Sequence, residues 1–155
     1  MGGDGAVPVI VTVSERFVVV CKACGYDELL VVQSTCILFL DQSAQSLNAV
    51  GVNSKNNRGY RGARNRWKRL LCKYATLVQP AKKYRRIFFT RLWGKGKRAY
   101  DYGNLVGGFK PLLDEIVRAG YLIDDSPRYC SEYYSQYKST TGKDYVEVVI
   151  EDVKR

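Results

Sequence analysis

Histidine is absent from all 155 residues of the chain. Its absence excludes the Ser-His-Asp triad, the Cys-His nucleophile pair, histidine acid–base catalysis and any zinc site built on imidazole. Chemistry is left to carboxylates, lysine, tyrosine, cysteine or a metal held by carboxylates. Long apolar runs are missing too: none approaches the roughly 18 residues that span a bilayer, so no membrane partner is expected. Met1-Gly2-Gly3-Asp4 lacks the basic stretch and apolar run that begin a secretory signal. The cysteines, at 21, 24, 36, 72 and 130, are odd in number and scattered. Reduced thiols in a cytoplasmic setting are the expectation. There is no internal repeat or low-complexity linker. The length and the 46% hydrophobic content suit a single domain with a real core.

Between Asp41 and Asp101 there is no acidic residue. The same stretch carries sixteen lysines and arginines, the main source of a net charge of +10. An ordinary solvated surface interleaves the two signs. Tyr60, Trp67, Tyr74, Tyr84, Trp93 and Tyr100 alternate with the cations. Phosphate neutralisation makes nucleic acid the expected partner. The candidate contacts are Arg61, Arg64, Lys68, Arg69, Lys82, Lys83, Arg85, Arg86, Arg91, Lys95, Lys97 and Arg98. A purely structural role for the tract is the alternative.

The hydrophobic pattern reads as β, α, β, α, β, an α+β fold. Val7 to Val13, Phe17 to Val20 and Leu29 to Val32 suggest strands, and Thr35 to Leu40 is another short apolar run. Residues 42–60, rich in Ser, Asn and Gly, read as a polar loop. Trp67, Leu70, Leu71, Tyr74, Leu77 and Val78 recur at helical spacing, with the helix ending before Pro80. Tyr84 to Trp93 reads as a strand carrying arginines. Leu105, Phe109, Leu112, Leu113, Ile116 and Val117 form one face of a second helix over 105–119, with Asn104 as N-cap and Gly120 just past its end. Lys110, Asp114 and Arg118 fall on its polar face. A short strand, Tyr121-Leu122-Ile123, should deliver Asp124-Asp125 to its end. Tyr129 to Tyr137 and Asp144 to Ile150 then form two strands joined by a Thr-Thr-Gly-Lys turn.

Acids return at Asp101, Asp114, Glu115, Asp124 and Asp125, beside the cationic tract. Bare carboxylates repel phosphate, and a bound divalent cation would reverse the local charge. A helix over 105–119 rises about 22 Å, and an extended return from Gly120 to Asp125 covers about 17 Å. An antiparallel return therefore brings Asp125 near Asp101. Such carboxylates could share Mg²⁺, which takes hard oxygen ligands and keeps several waters. Lys110 would then neutralise charge on a pentavalent phosphorus. The plain alternative makes Asp124-Asp125 a turn and Asp101 a loop cap.

Asp101-Tyr102-Gly103-Asn104-Leu105, followed by Lys110, Asp114, Gly120 and Asp124-Asp125, resembles the signature of the RusA family of Holliday-junction resolvases, common in phages and prophages. That pattern runs Asp-x-Asp-Asn-Leu, a helix with Lys and Asp four apart, a Gly, and a strand ending in Asp-Asp. A phage-like variant, Asn-Leu-Val-Gly-Gly-x-Lys-Pro-Leu-x-Asp followed by Asp-Asp-Ser-Pro, is closer still to residues 104–114 and 124–127. The resemblance is strong over 98–128 and weaker from residue 35 to the C-terminal hairpin. It divides the chain into a β-rich extension, 1–33, and a RusA-like domain, 34–155, with a mixed sheet and two main helices. It implies a homodimeric endonuclease, dependent on Mg²⁺ or Mn²⁺ in its place, that cuts four-way DNA junctions. By position Asp101 and Asp125 would be metal ligands, with Asp124 beside Asp125, and Lys110 the essential lysine. Gly103 stands where the pattern has its second aspartate, and the interval from Asn104 to Lys110 is longer than in the best-known resolvase. Asp114 or a water would fill the vacancy; otherwise the chain binds branched DNA without cutting it well.

Cys21-Lys22-Ala23-Cys24 is half of a zinc knuckle, which a second copy or Cys36 would have to complete. Two reduced thiols are the reading favoured for Cys21 and Cys24.

Overall fold

A computed structural model describes residues 9–13, 16–21, 26–30, 35–40, 44, 58–72 and 78–153, with side chains from Ala44 onward. Strands β1 (Val9–Val13), β2 (Arg16–Cys21) and β3 (Tyr26–Leu30) form an antiparallel sheet in that order. Val and Ile dominate the first two, as β-branched side chains suit an extended backbone. The third strand begins three residues before the expected Leu29, because Tyr26 pairs with Cys21 and sets the register.

Strand β4 (Thr35–Leu40) belongs to a second, four-stranded sheet with β5 (Arg85–Trp93), β6 (Cys130–Lys138) and β7 (Tyr145–Asp152). The order is β4-β7-β5-β6, with β5 and β6 parallel and the other pairs antiparallel. The fold is thus α+β with a mixed sheet. Helix α1 (Arg58–Leu71) starts inside the expected loop, and helix α2 (Tyr102–Arg118) makes the crossover between β5 and β6. No helix among the described residues is long and apolar enough to cross a membrane.

Alternation along β5 and β7 buries Ile87, Phe89, Val146, Val148 and Ile150 on one face. Leu105, Phe109, Leu112, Leu113 and Ile116 of α2 complete the same core with Trp67 and Leu71 of α1. Phe89 lies 5.0 Å from Phe109, ring centre to ring centre, which fixes α2 over the middle of the sheet.

Three local expectations are corrected. Asp101, not Asn104, caps α2: its backbone is extended and its Oδ1 accepts from the Asn104 N–H at 2.9 Å. Tyr121-Leu122-Ile123 is a bend, because the Tyr121 N–H turns back to the Ile116 carbonyl at 3.1 Å. Strands β6 and β7 are no hairpin, since β5 lies between them. Gly120 does follow α2, at φ +82°, where a side chain would be strained.

The link from β6 to β7 therefore passes over the end of β5. Ser139 donates to the Trp93 carbonyl, and Lys95 donates to that of Gly142. A Cβ on Gly94 would meet the Gly142 oxygen at 2.2 Å, whereas one on Gly62 meets only the tip of Arg66 at 3.7 Å. Gly94→Ala should cost about 1–3 kcal/mol, the range for forced overpacking. Gly62→Ala should gain about 0.5–1 kcal/mol through helix propensity. Urea midpoints at unchanged slope will read both.

Candidate functional site

Two of the expected nucleic-acid contacts are corrected at once: Arg85 and Arg91 are buried at opposite ends of the inward face of β5. Arg85 donates to Asp152 at 2.8 Å and to the Gln79 and Tyr121 carbonyls. Arg91 donates to the Arg98 carbonyl and to Gln136 Oε1, and its guanidinium lies 3.5 Å from the centre of the Tyr100 ring. Both guanidinium groups are thus taken up within the fold, although the buried Arg91 Nε has no partner among the described residues. Both residues instead place loops. Arg85 holds Tyr121, just past α2, while Arg91 holds the Arg98 carbonyl and Gln136, whose amide clamps the Tyr100 backbone just before the helix.

The loop held by Arg85 brings Asp125 back onto α2. Lys110 donates to Asp125 and, at 2.9 Å, to Asp114 on the next turn of its own helix. Tyr60 of α1 donates to the other oxygen of Asp114. One turn of chain away, Arg64 of α1 meets the buried Glu115 at 2.7 Å. Asp114 and Asp125 share an open cleft of about 300 Å³ with Arg64, Val117 and Arg118. A second cleft, of about 420 Å³, carries Tyr60, Arg61, Arg64, Asn65, Lys68, Glu115 and Arg118. Arg64 and Arg118 line both, so cations flank the carboxylates directly.

Hydrogen bonding from Lys110 is the main reason that Asp125 sits below the ordinary aspartate range, against partial burial. Burial opposes the charge on Lys110, but the bonds to Asp125 and Asp114 outweigh it and raise its pKa. Burial and the bond to Asp114 likewise raise Tyr60. The stability due to Asp125 is present above about pH 4 and is lost as pH falls through its lowered folded value. That due to Lys110 is complete below about pH 10 and is lost as pH rises through its raised folded value. The ion pair therefore persists across neutrality.

Asp101 does not join this group among the described contacts. Both of its oxygens accept from Asn104, one from the backbone and one from the side-chain amide, and these bonds lower its pKa. Asp124, half-buried, stands beside Asp125. No three His, Cys, Asp or Glu side chains among the described residues are grouped to hold a metal ion. The donors present therefore do not form an all-protein cage. One or two of these carboxylates could serve Mg²⁺ only in its more open mode, with the remaining positions left to water and phosphate oxygens.

The other expected contacts are placed as follows. Arg61, Lys68 and Arg69 are exposed on α1, and Lys82 and Lys83 precede β5. Lys95, Lys97 and Arg98 are exposed beyond its far end, about 26 Å away along the strand. Arg86 pairs with Glu151 at 2.9 Å, and Lys97 with Asp144 at 3.1 Å. Cys24 and the Cys21 side chain lie outside the described residues. Tyr60 and Glu115 gave no positional signal of their own in the sequence. Arg118 did, being four residues beyond Asp114 on the same face.

No family model matches the chain, and no curated protein matches it either.

Two measurements probe the site. In the metal-free protein, Lys110→Met should raise the carboxyl titration midpoint of Asp125 seen by ¹³C NMR, since its main stabilising donor is gone. At the neighbouring pair, Arg64→Met leaves a buried carboxylate with only Arg118, 3.9 Å away, among the described residues, whereas Glu115→Gln leaves a guanidinium that can reach water. Arg64→Met should cost about 3 kcal/mol and Glu115→Gln about 1 kcal/mol in urea unfolding.

Proposed function

We propose that the protein is a metal-dependent endonuclease that acts on branched DNA, four-way junctions included, and works as a homodimer. The observation that carries this reading is the meeting of Asp114 and Asp125 on Lys110, in a cleft continuous with exposed cations of α1. Two features stand behind it: the acid-free basic tract and the resemblance of residues 98–128 to the RusA signature. Asp125, together with Asp114 or Asp124, would hold Mg²⁺, or Mn²⁺ in its place, which would supply Lewis acidity and an acidified water.

The chain's own groups have separate tasks. Arg61, Lys68 and Arg118 draw the phosphate backbone towards the carboxylates. Lys110, charged throughout the neutral range, offers a donor to a non-bridging phosphate oxygen and disperses charge as it grows there. Arg64 and Tyr60 hold Glu115 and Asp114 and so fix the spacing of α1 from α2 at the cleft. Asp101 serves by starting α2, which sets the rotation of Lys110 and Asp114 about the helix axis.

A second reading, a branched-DNA-binding protein with little or no cleavage, draws on the satisfaction of both carboxylates by Lys110 and on Gly103 in the place of an aspartate. One assay separates the two. An end-labelled four-way junction with Mg²⁺ should acquire symmetric nicks that EDTA abolishes and Asp125→Asn reduces at least a hundredfold. Binding without nicks selects the second reading, and equal cutting of flaps and duplex indicates a broader nuclease. Junction affinity should fall about a thousandfold between low and physiological salt, as for some six phosphate contacts.

A further inference from the structure

On the far side of the loop that carries Asp125 lies a cleft of about 620 Å³, lined by Lys82, Lys83, Tyr84, Ile123, Arg128, Tyr129 and Val153. Two backbone bonds build it. Ala81 donates to the Gly120 carbonyl at 2.8 Å, and Arg85 donates to that of Tyr129 at 3.1 Å, so the segments flanking β5 and α2 lie side by side.

Three cations line this cleft and no acid does. Among the described residues, Lys82, Lys83 and Arg128 form no ion pair, in contrast to Arg85 and Arg86 next to them. Arg128 instead lies 5.5 Å from the centre of the Tyr129 ring. Ile123 is 42% exposed, an unusual position for a branched aliphatic residue at the mouth of a charged cleft. Concave, uncompensated positive charge attracts a polyanion, and its phosphates release counterions on binding. The exposed Ile123 and the neighbouring tyrosines suit the face of a base, which paired DNA keeps inside its stack.

Position connects this cleft to the carboxylates. Ile123 is two residues from Asp125, so their Cα atoms are at most about 7 Å apart. One loop thus contributes Asp125 to one cleft and Ile123, Arg128 and Tyr129 to the other.

We propose that this cleft is a subsite for unpaired DNA, gripping the phosphodiester backbone a few nucleotides from the phosphate at Asp125. The proposal rests on the nuclease reading and adds a strand-specific grip to it. Lys82, Lys83 and Arg128 bind phosphate oxygens. Ile123 and Tyr129 take the exposed base. Branched substrates are then distinguished from plain duplex by nucleotides that are unpaired, or open readily, at the branch point.

The test uses the full chain and a fluorescein-labelled oligothymidylate, with a duplex and a four-way junction in parallel. The triple variant Lys82→Gln, Lys83→Gln, Arg128→Gln should bind oligothymidylate at least about tenfold more weakly and flatten its logarithmic salt slope by about 2. Duplex affinity should change much less. Ile123→Ser should weaken oligothymidylate binding at an unchanged salt slope. Arg128→Gln alone, checked with the others by circular dichroism, gives a milder variant should the triple one misfold. If the wild-type chain cuts junctions while the triple variant keeps its oligothymidylate affinity and slope, the subsite is refuted and the nuclease reading stands. Equal losses on duplex and oligothymidylate would refute the preference for unpaired DNA. If the wild type binds no DNA at all, both fall.

Discussion

Two guanidinium groups at opposite ends of one strand face hold both approaches to α2, and the geometry of the site follows from them. Arg85 and Arg91 point inward from β5, one bonding the chain just after the helix and the other the chain just before it. Burying a charge is costly unless its donors are used. Here the cost is offset differently at each end. Arg85 has the Asp152 carboxylate, and Arg91 has carbonyl oxygens and the face of Tyr100. With both loops fixed, α2 has little freedom to slide or roll, and Lys110 is brought to Asp125.

The same economy of charge separates structural from available cations. Arg64, Arg85, Arg86 and Lys97 each spend their charge on a carboxylate of the fold. Lys68, Lys82, Lys83 and Arg128 have no such partner among the described residues and face clefts. The distribution of charge over the chain is thus more informative than its net total. Around the carboxylates the balance is local, with one ammonium serving two aspartates.

The fold was legible where periodicity was long. Leu105, Phe109, Leu112, Leu113 and Ile116 gave α2 its buried face, and the residues from Tyr84 to Trp93 gave β5 as a strand but not its inward side. Strand order was not legible, because local patterns say nothing about which neighbours pair, so β6 and β7 read as a hairpin. Composition misplaced Arg85 and Arg91, since a strand alternates its faces and every second residue points inward whatever the charge of the tract. At the site, spacing anticipated the return of Asp125 to α2 but not its meeting point. Asp125 meets the helix at Lys110, roughly two turns in from the cap at Asp101, because the chain bends at Tyr121 instead of extending. Tyr60 was hidden because its bond to Asp114 joins residues 54 apart.

Strand β7 is made after every other strand, yet it lies inside the sheet, between β4 and β5. Within that sheet β4 pairs with β7 alone. A ribosome therefore delivers β4, both helices, β5 and β6 before the strand that joins β4 to the others exists. Until residues 145–152 emerge, β4 and β5 each present an open edge that can recruit a wrong partner. Closure of the sheet is a late, long-range event, of the kind that makes folding slow and gives a chaperone time to act.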